Sequence, residues 1–189
     1  MTTDKFQNKY RIPQARAKWH DYSSGMYFVT VCTKNKECLF GDINNEQMNN
    51  TVIGDFLNEQ LRNVNQHYPY CEIPIFIVMP NHWHAIVIVN GDKIPYERKL
   101  SSIWHTESID DKLLMRNIAN HQGWLSVLIG GVKSAVTKFA NKNNIDFVWQ
   151  PRFYDRIIRD VKEMNRIADY IENNVAVWDL DCYNNLSFV

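Results

Sequence analysis

With 189 residues and 21 lysines and arginines balanced by 21 aspartates and glutamates, the chain is long enough to bury a core. It is also too evenly charged to act as a generic, charge-driven nucleic-acid binder. No apolar run reaches the roughly 18 residues that suggest a transmembrane helix. Met1-Thr2-Thr3-Asp4-Lys5 lacks the apolar stretch of a secretory signal, and Cys32, Cys38, Cys71 and Cys182 have no CxxC spacing. A single domain spanning 1–189 is expected, in a cytoplasmic, reducing compartment, with no membrane partner and with buried or incidental thiols.

The chain begins with a basic arm over 1–20, in which Lys5, Lys9, Arg11, Arg16 and Lys18 follow Asp4 with no further acid. Asp21 to Gly25 reads as a turn, and Met26 to Thr33 as a strand rich in β-branched and aromatic residues. Lys34-Asn35-Lys36 is a polar break. Val52, Phe56, Leu57, Leu61 and Val64 recur at helical spacing, which predicts an amphipathic helix over 50–67, stopped by Pro69. Ile73 to Met79 and His82 to Val89 read as two strands joined by the short Pro80-Asn81 connection of a hairpin. Residues 91–122 form a polar excursion with room for a short helix at 110–120. A second helix is expected from Leu125 to Asn141, with Gly130-Gly131 marking a break. Phe147 to Gln150 and Phe153 to Ile158 read as extended, interrupted by Pro151. Asp160, with Glu163 in the capping-box position, opens a last helix whose apolar face is Val161, Met164, Ile167, Ala168 and Ile171.

The first six elements, in the order strand, helix, strand, strand, helix, strand, match the βαββαβ of a ferredoxin-like α+β sandwich. Its antiparallel sheet carries the helices on one face, and the last helix is extra. Alternation along a strand puts Trp83, Ala85, Val87 and Val89 under the helices and His82 and His84 side by side on the open face. An unpartnered pair of buried imidazoles is costly, at about 1–3 kcal/mol for each unsatisfied group, so the pair reads as half of a metal site.

On the last helix Tyr170 and Asn174 are four residues apart and share a face. If that helix crosses the open face of the sheet, Asn174 adds an oxygen to the two imidazole nitrogens and Tyr170 hangs one turn away. Such a set has no thiolate and open positions, which suits Mg2+ or Mn2+ completed by phosphate oxygens. The tyrosine oxygen would then attack a phosphodiester, leaving a phosphotyrosine and a free 3′ hydroxyl. Tyr154 is a rival nucleophile by residue type alone.

Val78 to His84 resembles the HUH motif of the single-tyrosine insertion-sequence transposases. Trp149-Gln150-Pro151-Arg152-Phe153-Tyr154-Asp155 through Asp160, and Tyr170-Ile171-Glu172-Asn173-Asn174, look like later blocks of the same family. The branch most similar is that of the REP-associated tyrosine transposases, which the opening Asp21 to Thr33 and Leu39-Phe40-Gly41 also resemble. The resemblance runs over about residues 10–178, leaving 91–122 unmatched. It implies His82, His84 and Asn174 as metal ligands and Tyr170, not Tyr154, as nucleophile. The family usually continues Asn-Pro where this chain has Asn174-Val175, a change in how the helix ends.

The resemblance further implies a metal-dependent single-stranded DNA endonuclease and strand transferase acting at hairpin-flanked or repeat DNA, as a monomer or homodimer. Arg11, Arg16, Lys18, Arg152 and Arg156 would contact phosphates and position the strand; a solvated face is the plainer reading of the same charges. Exposed aromatics would stack unpaired bases. The alternatives are a domesticated hairpin-DNA-binding protein without efficient cleavage, a histidine-based nucleotide phosphohydrolase, and a non-catalytic metal-binding module. Ile86 stands where a histidine-triad hydrolase needs a further His, which counts against the second.

Overall fold

The structure, a computed structural model, describes residues 24–94, 123–181 and 183–184. The basic arm with Arg11, Arg16 and Lys18, and the proposed helix at 110–120, lie outside the described residues. The β-branched run after the first turn is strand β1 (Gly25–Cys32), followed by a short hairpin of β2 (Gly41–Asn44) and β3 (Gln47–Asn50). Helices α1 (Val52–Arg62) and α2 (Val64–His67) come next, then β4 (Cys71–Val78) and β5 (His82–Val89). Helix α3 (Gly123–Lys142), strand β6 (Tyr154–Ile158) and helix α4 (Val161–Glu172) complete the set. No helix among the described residues is long and apolar enough to cross a membrane.

The main sheet has the order β4-β5-β1-β6, every pair antiparallel, which is the ferredoxin-like arrangement. Odd-numbered residues of β1 and β5 (Tyr27, Val29, Val31, Trp83, Ala85, Val87, Val89) face the main core. There they meet Leu57 and Leu61 of α1 and Leu125, Leu128, Val132 and Val136 of α3. In β4 the core-facing parity switches from Cys71 and Ile73 to Phe76 and Val78. A register shift between Glu72 and Ile75 absorbs the extra residue at Pro74, so the apolar face is kept. The opposite face carries a second, smaller core in which Ile167 and Ile171 of α4 cover Ile86 and Ile158. The last helix therefore crosses the face on which His82 and His84 stand.

Two sequence expectations are corrected, and one element that the sequence left unassigned is added. Beyond the Lys34-Asn35-Lys36 break, the stretch 41–50 is the β2–β3 hairpin, turned at Asn45 and Glu46, both at positive φ (52° and 58°). That conformation suits a two-residue primed turn, and Asn is among the residues that tolerate it best. The helix expected over 50–67 is divided at Asn63, with α2 a separate single turn. Gly130 and Gly131 do not break α3, which runs through them. A Cβ on Gly131 would collide with the Tyr68 hydroxyl, so that glycine makes room for a packed ring, whereas Gly130 faces open space. At the start of α4 Asp160 Oδ1 accepts from the Glu163 N–H at 2.7 Å, and Glu163 Oε2 accepts from the Arg159 N–H at 3.1 Å. This is close to the expected capping box, with the return bond one residue earlier.

Gly130→Ala should raise stability by about 0.5–1 kcal/mol through helix propensity alone. Gly54→Ala should lower it by about 1–3 kcal/mol or more, because its Cβ would meet the Phe40 carbonyl, a backbone atom that cannot swing aside. Urea titrations of the two variants should therefore move in opposite directions.

Candidate active site

The site is built on one row of the sheet. Register sets Ile77, His84, Thr30 and Tyr154 directly across from one another on β4, β5, β1 and β6. His82 stands two residues before His84, on the same face. Both histidines are fully buried, with Nε2 atoms 3.0 Å apart. Behind each ring is a fixed partner: His82 Nδ1 is 2.8 Å from Asn81 Oδ1, and His84 Nδ1 is 2.8 Å from Thr30 Oγ1.

The first of these contacts assigns a tautomer. The Asn81 amide nitrogen donates to the carbonyls of Lys36 (3.0 Å) and Tyr183 (2.8 Å), so the oxygen must be the atom facing His82. An amide oxygen only accepts, which puts the His82 proton on Nδ1 and leaves a lone pair at Nε2. The short contact between the rings then takes its proton from His84 Nε2, with His84 Nδ1 accepting from the Thr30 hydroxyl. That hydroxyl can either donate or accept, so it is compatible with the other His84 tautomer as well.

Burial, reinforced by the neighbouring His84 and by Lys36, holds the His82 imidazole well below its ordinary value. Burial lowers His84 to about 3. Both rings are therefore neutral at pH 7, the protonation state of a metal ligand. Phe28, two residues before Thr30 on β1, stacks on the His84 ring with centroids 5.2 Å apart.

α4 brings Tyr170 to this pair. Its Oη lies 3.3 Å from His84 Nε2, and its ring meets Phe28 edge-on at 6.0 Å. At 43% exposure the ring remains open to solvent on one side. Asn174, in the turn after α4, has a fully buried side chain whose Oδ1 and Nδ2 both lack a hydrogen-bond partner. A buried amide without partners costs several kcal/mol by the same scale that burdens unpaired imidazoles, roughly 1–3 for each group. Arg152 and Arg156 are exposed at the β6 edge, Arg156 with its guanidinium 2.6 Å from Glu163 Oε1.

Several residues here were not singled out from the sequence. Asp181 follows a single 3-10 turn (Trp178–Leu180), and one of its carboxylate oxygens lies within 4.8 Å of ring nitrogens of both histidines. Asp181 Oδ1 accepts from the Tyr183 N–H at 2.7 Å, and the Tyr183 ring lies 4.5 Å from that of His82. Thr30, Phe28 and Asn81 had a readable signal. Thr30 and Phe28 are polar and aromatic residues of matching parity on the neighbouring strand, and Asn81 directly precedes the first histidine. Asp181 had none, because its position depends on how the chain turns after α4.

The donor set fits a divalent cation. Two ligand atoms each about 2.1 Å from one ion and at right angles are about 3.0 Å apart. The Nε2 spacing of 3.0 Å matches this. Two neutral imidazoles and the Asp181 carboxylate form a nitrogen and oxygen set with no thiolate, suited to Mg2+, Mn2+ or Fe2+.

Among proteins of known sequence, an uncharacterized protein of Haemophilus influenzae (strain ATCC 51907 / DSM 11121 / KW20 / Rd) is 33% identical over 183 residues. The match covers 96% of this chain and 97% of that protein, and the chain belongs to the same family. No family model matches the chain. Among solved structures, a REP-associated tyrosine transposase bound to a REP hairpin aligns over 85% of this chain and 71% of its own. It is 20% identical, with a TM-score of 0.47. A candidate transposase from Deinococcus radiodurans R1 aligns over 84% of this chain and 95% of its own, at 14% identity and a TM-score of 0.36.

The depressed imidazole values give a direct expectation for metal-free protein. Unfolded histidines protonate near 6.5, the folded ones much lower, so below pH 6.5 the unfolded state binds more protons. Stability should be full above that value and fall as pH drops from about 6.5 toward 3. Chemical denaturation in EDTA across this window should show the loss in wild type, at up to about 1.4 kcal/mol per pH unit for each imidazole. It should be reduced in His84→Gln.

Proposed function

We propose that this protein is a metal-dependent single-stranded DNA endonuclease and strand transferase, transposase-like, that acts through a covalent phosphotyrosine. The observation that carries the reading is the approach of the Tyr170 hydroxyl to within 3.3 Å of His84 Nε2, from a helix 86 residues further along the chain. The likeness of Val78 to His84, Trp149 to Asp160 and Tyr170 to Asn174 to the blocks of the single-tyrosine transposases supports it independently.

In this reading His82 and His84 would hold the ion, joined by the Asp181 carboxylate, the Asn174 amide or both. When bound, the ion polarises the phosphodiester, offsets charge on its oxygens and favours ionisation of the nearby phenol. Asn81 and Thr30 hold the two rings in orientation, each through the Nδ1 turned away from the site. Phe28 backs the His84 ring and borders the Tyr170 ring, restricting how far the phenol can swing. Tyr170 Oη forms a bond to phosphorus as the bond to the 3′ oxygen breaks, and the phenolic proton ends on that oxygen. The products are a phosphotyrosine at the 5′ end of the downstream strand and a free 3′ hydroxyl on the upstream one, and the reverse step rejoins strands without an external energy source. Hairpin-flanked or repeat DNA is the proposed target, read by shape more than by net charge.

A denaturing gel with Mn2+ and a single-stranded pool carrying a fixed hairpin tests the chemistry. Wild type should form a protein–DNA adduct and Tyr170→Phe should form none while still binding DNA; an equal adduct in the variant would refute the nucleophile. Hairpin binding by the wild type with no adduct would instead favour a domesticated binder. Calorimetric Mn2+ titration tests the metal site, with Mg2+ and Fe2+ as comparisons. His82→Ala should abolish binding, and Thr30→Val should weaken it about 10- to 100-fold through loss of the ring's partner.

A further inference from the structure

The sheet face that carries the histidines is only partly covered. α4 packs over β4 and β5 and covers Ile158 at the end of β6, whereas Tyr154 and Arg156, nearer the start of that strand, stay exposed. Parity along β6 is fixed by its packing: Ile158 lies in the small core under α4, whereas Ile157 packs against the main core. Tyr154 and Arg156, of the same parity as Ile158, therefore point to the histidine face. Tyr154 pairs with Thr30, whose hydroxyl bonds His84, which sets Tyr154 two strand spacings, about 10 Å, from the histidine strand.

The Tyr154 side chain is 54% exposed, and among the described residues neither its ring nor its hydroxyl has a partner. Arginines flank it along the chain, Arg156 with one guanidinium nitrogen paired to Glu163. Arg152, just before the strand, is held at φ 67°, a conformation that costs a non-glycine residue energy, while Lys133 Nζ donates to its carbonyl at 3.1 Å. Arg156 follows on the same face and Arg159 lies just past the strand. An open aromatic ring between cations on a sheet edge is the combination that binds single strands, the ring stacking a base and the cations taking phosphates.

We infer that Tyr154 is a stacking platform for a base of single-stranded DNA, seating a nucleotide beside the phosphodiester that lies at the histidine pair. Arg152 and Arg156 contact the phosphates on either side of it. The inference rests on the reading of the site as a DNA-processing centre. It gives Tyr154 a positioning role that uses the ring and not the hydroxyl, distinct from the nucleophile's.

The test is fluorescence anisotropy of the full chain with a hairpin-tailed, mixed-sequence single strand, together with tails bearing 2-aminopurine at successive positions. Tyr154→Phe should bind as wild type does, and Tyr154→Ala should bind about 5- to 150-fold more weakly. One or two adjacent 2-aminopurine positions should be quenched by wild type and Tyr154→Phe but not by Tyr154→Ala. Undiminished binding and quenching by Tyr154→Ala would overturn the platform while leaving the site's chemistry intact. Equal losses in Tyr154→Phe and Tyr154→Ala, with unchanged melting temperatures, would overturn it in favour of a role for the hydroxyl. A wild type that binds no single strand and forms no adduct would overturn the DNA reading and the platform together.

Discussion

The side chain of Asn81 ties together the parts of the molecule that meet at the site. Its amide nitrogen joins the carbonyl of Lys36, in the loop after β1, to that of Tyr183, beyond α4, and its oxygen fixes the His82 ring. Its backbone oxygen accepts both the N–H and the hydroxyl of Thr33. One fully buried residue thus spends its hydrogen-bonding capacity on two separate segments, the loop after β1 and the chain beyond α4, and on the His82 imidazole. Removing any of these partners would leave a polar group buried and unpaired, which is why the arrangement holds together as a unit.

From that anchor the rest of the site follows from sheet geometry. Alternation in β5 gives one strand two jobs, filling the main core with Trp83, Ala85, Val87 and Val89 while presenting His82 and His84 behind it. The bulge at Pro74 keeps β4 in phase with that division. Neutral, buried imidazoles are tolerable because each ring nitrogen finds a partner: Asn81, Thr30, the other histidine and the Tyr170 hydroxyl. Asn174 is the exception, with its whole amide unsatisfied, and Asp181 brings the one carboxylate among the described residues close to both rings.

Much of this was legible in the chain. The βαββαβ order could be read because β-branched runs and the 3.6-residue periodicity of Val52 to Val64 are strong local signals. The His82–His84 pairing needed only the two-residue period of a strand. The β2–β3 hairpin was missed because Gly41 to Asn50 is polar and lacks apolar alternation, even though Asn44-Asn45 carried a turn signal. Gly131 was misread because the reason for it, the Tyr68 ring, lies across the helix interface and leaves no local trace. Asp181 and Tyr183 were invisible for the same kind of reason: their nearness to His82 is set by the path of the chain after α4 and by long-range bonds to Asn81.

The division of the apolar interior into two unequal cores separates two properties that are often measured as one. The main core, shared by β1, β4, β5, α1 and α3, is by far the larger of the two. α4 is held to the sheet by only Ile167 and Ile171 among its fully buried side chains, with Arg156 and Glu163 pinning its first turn. Such a helix is expected to open at a lower free energy than the main core. The integrity of the tyrosine end of the site is therefore a local equilibrium with its own, smaller free energy, and a melting curve that reports the main core says little about it.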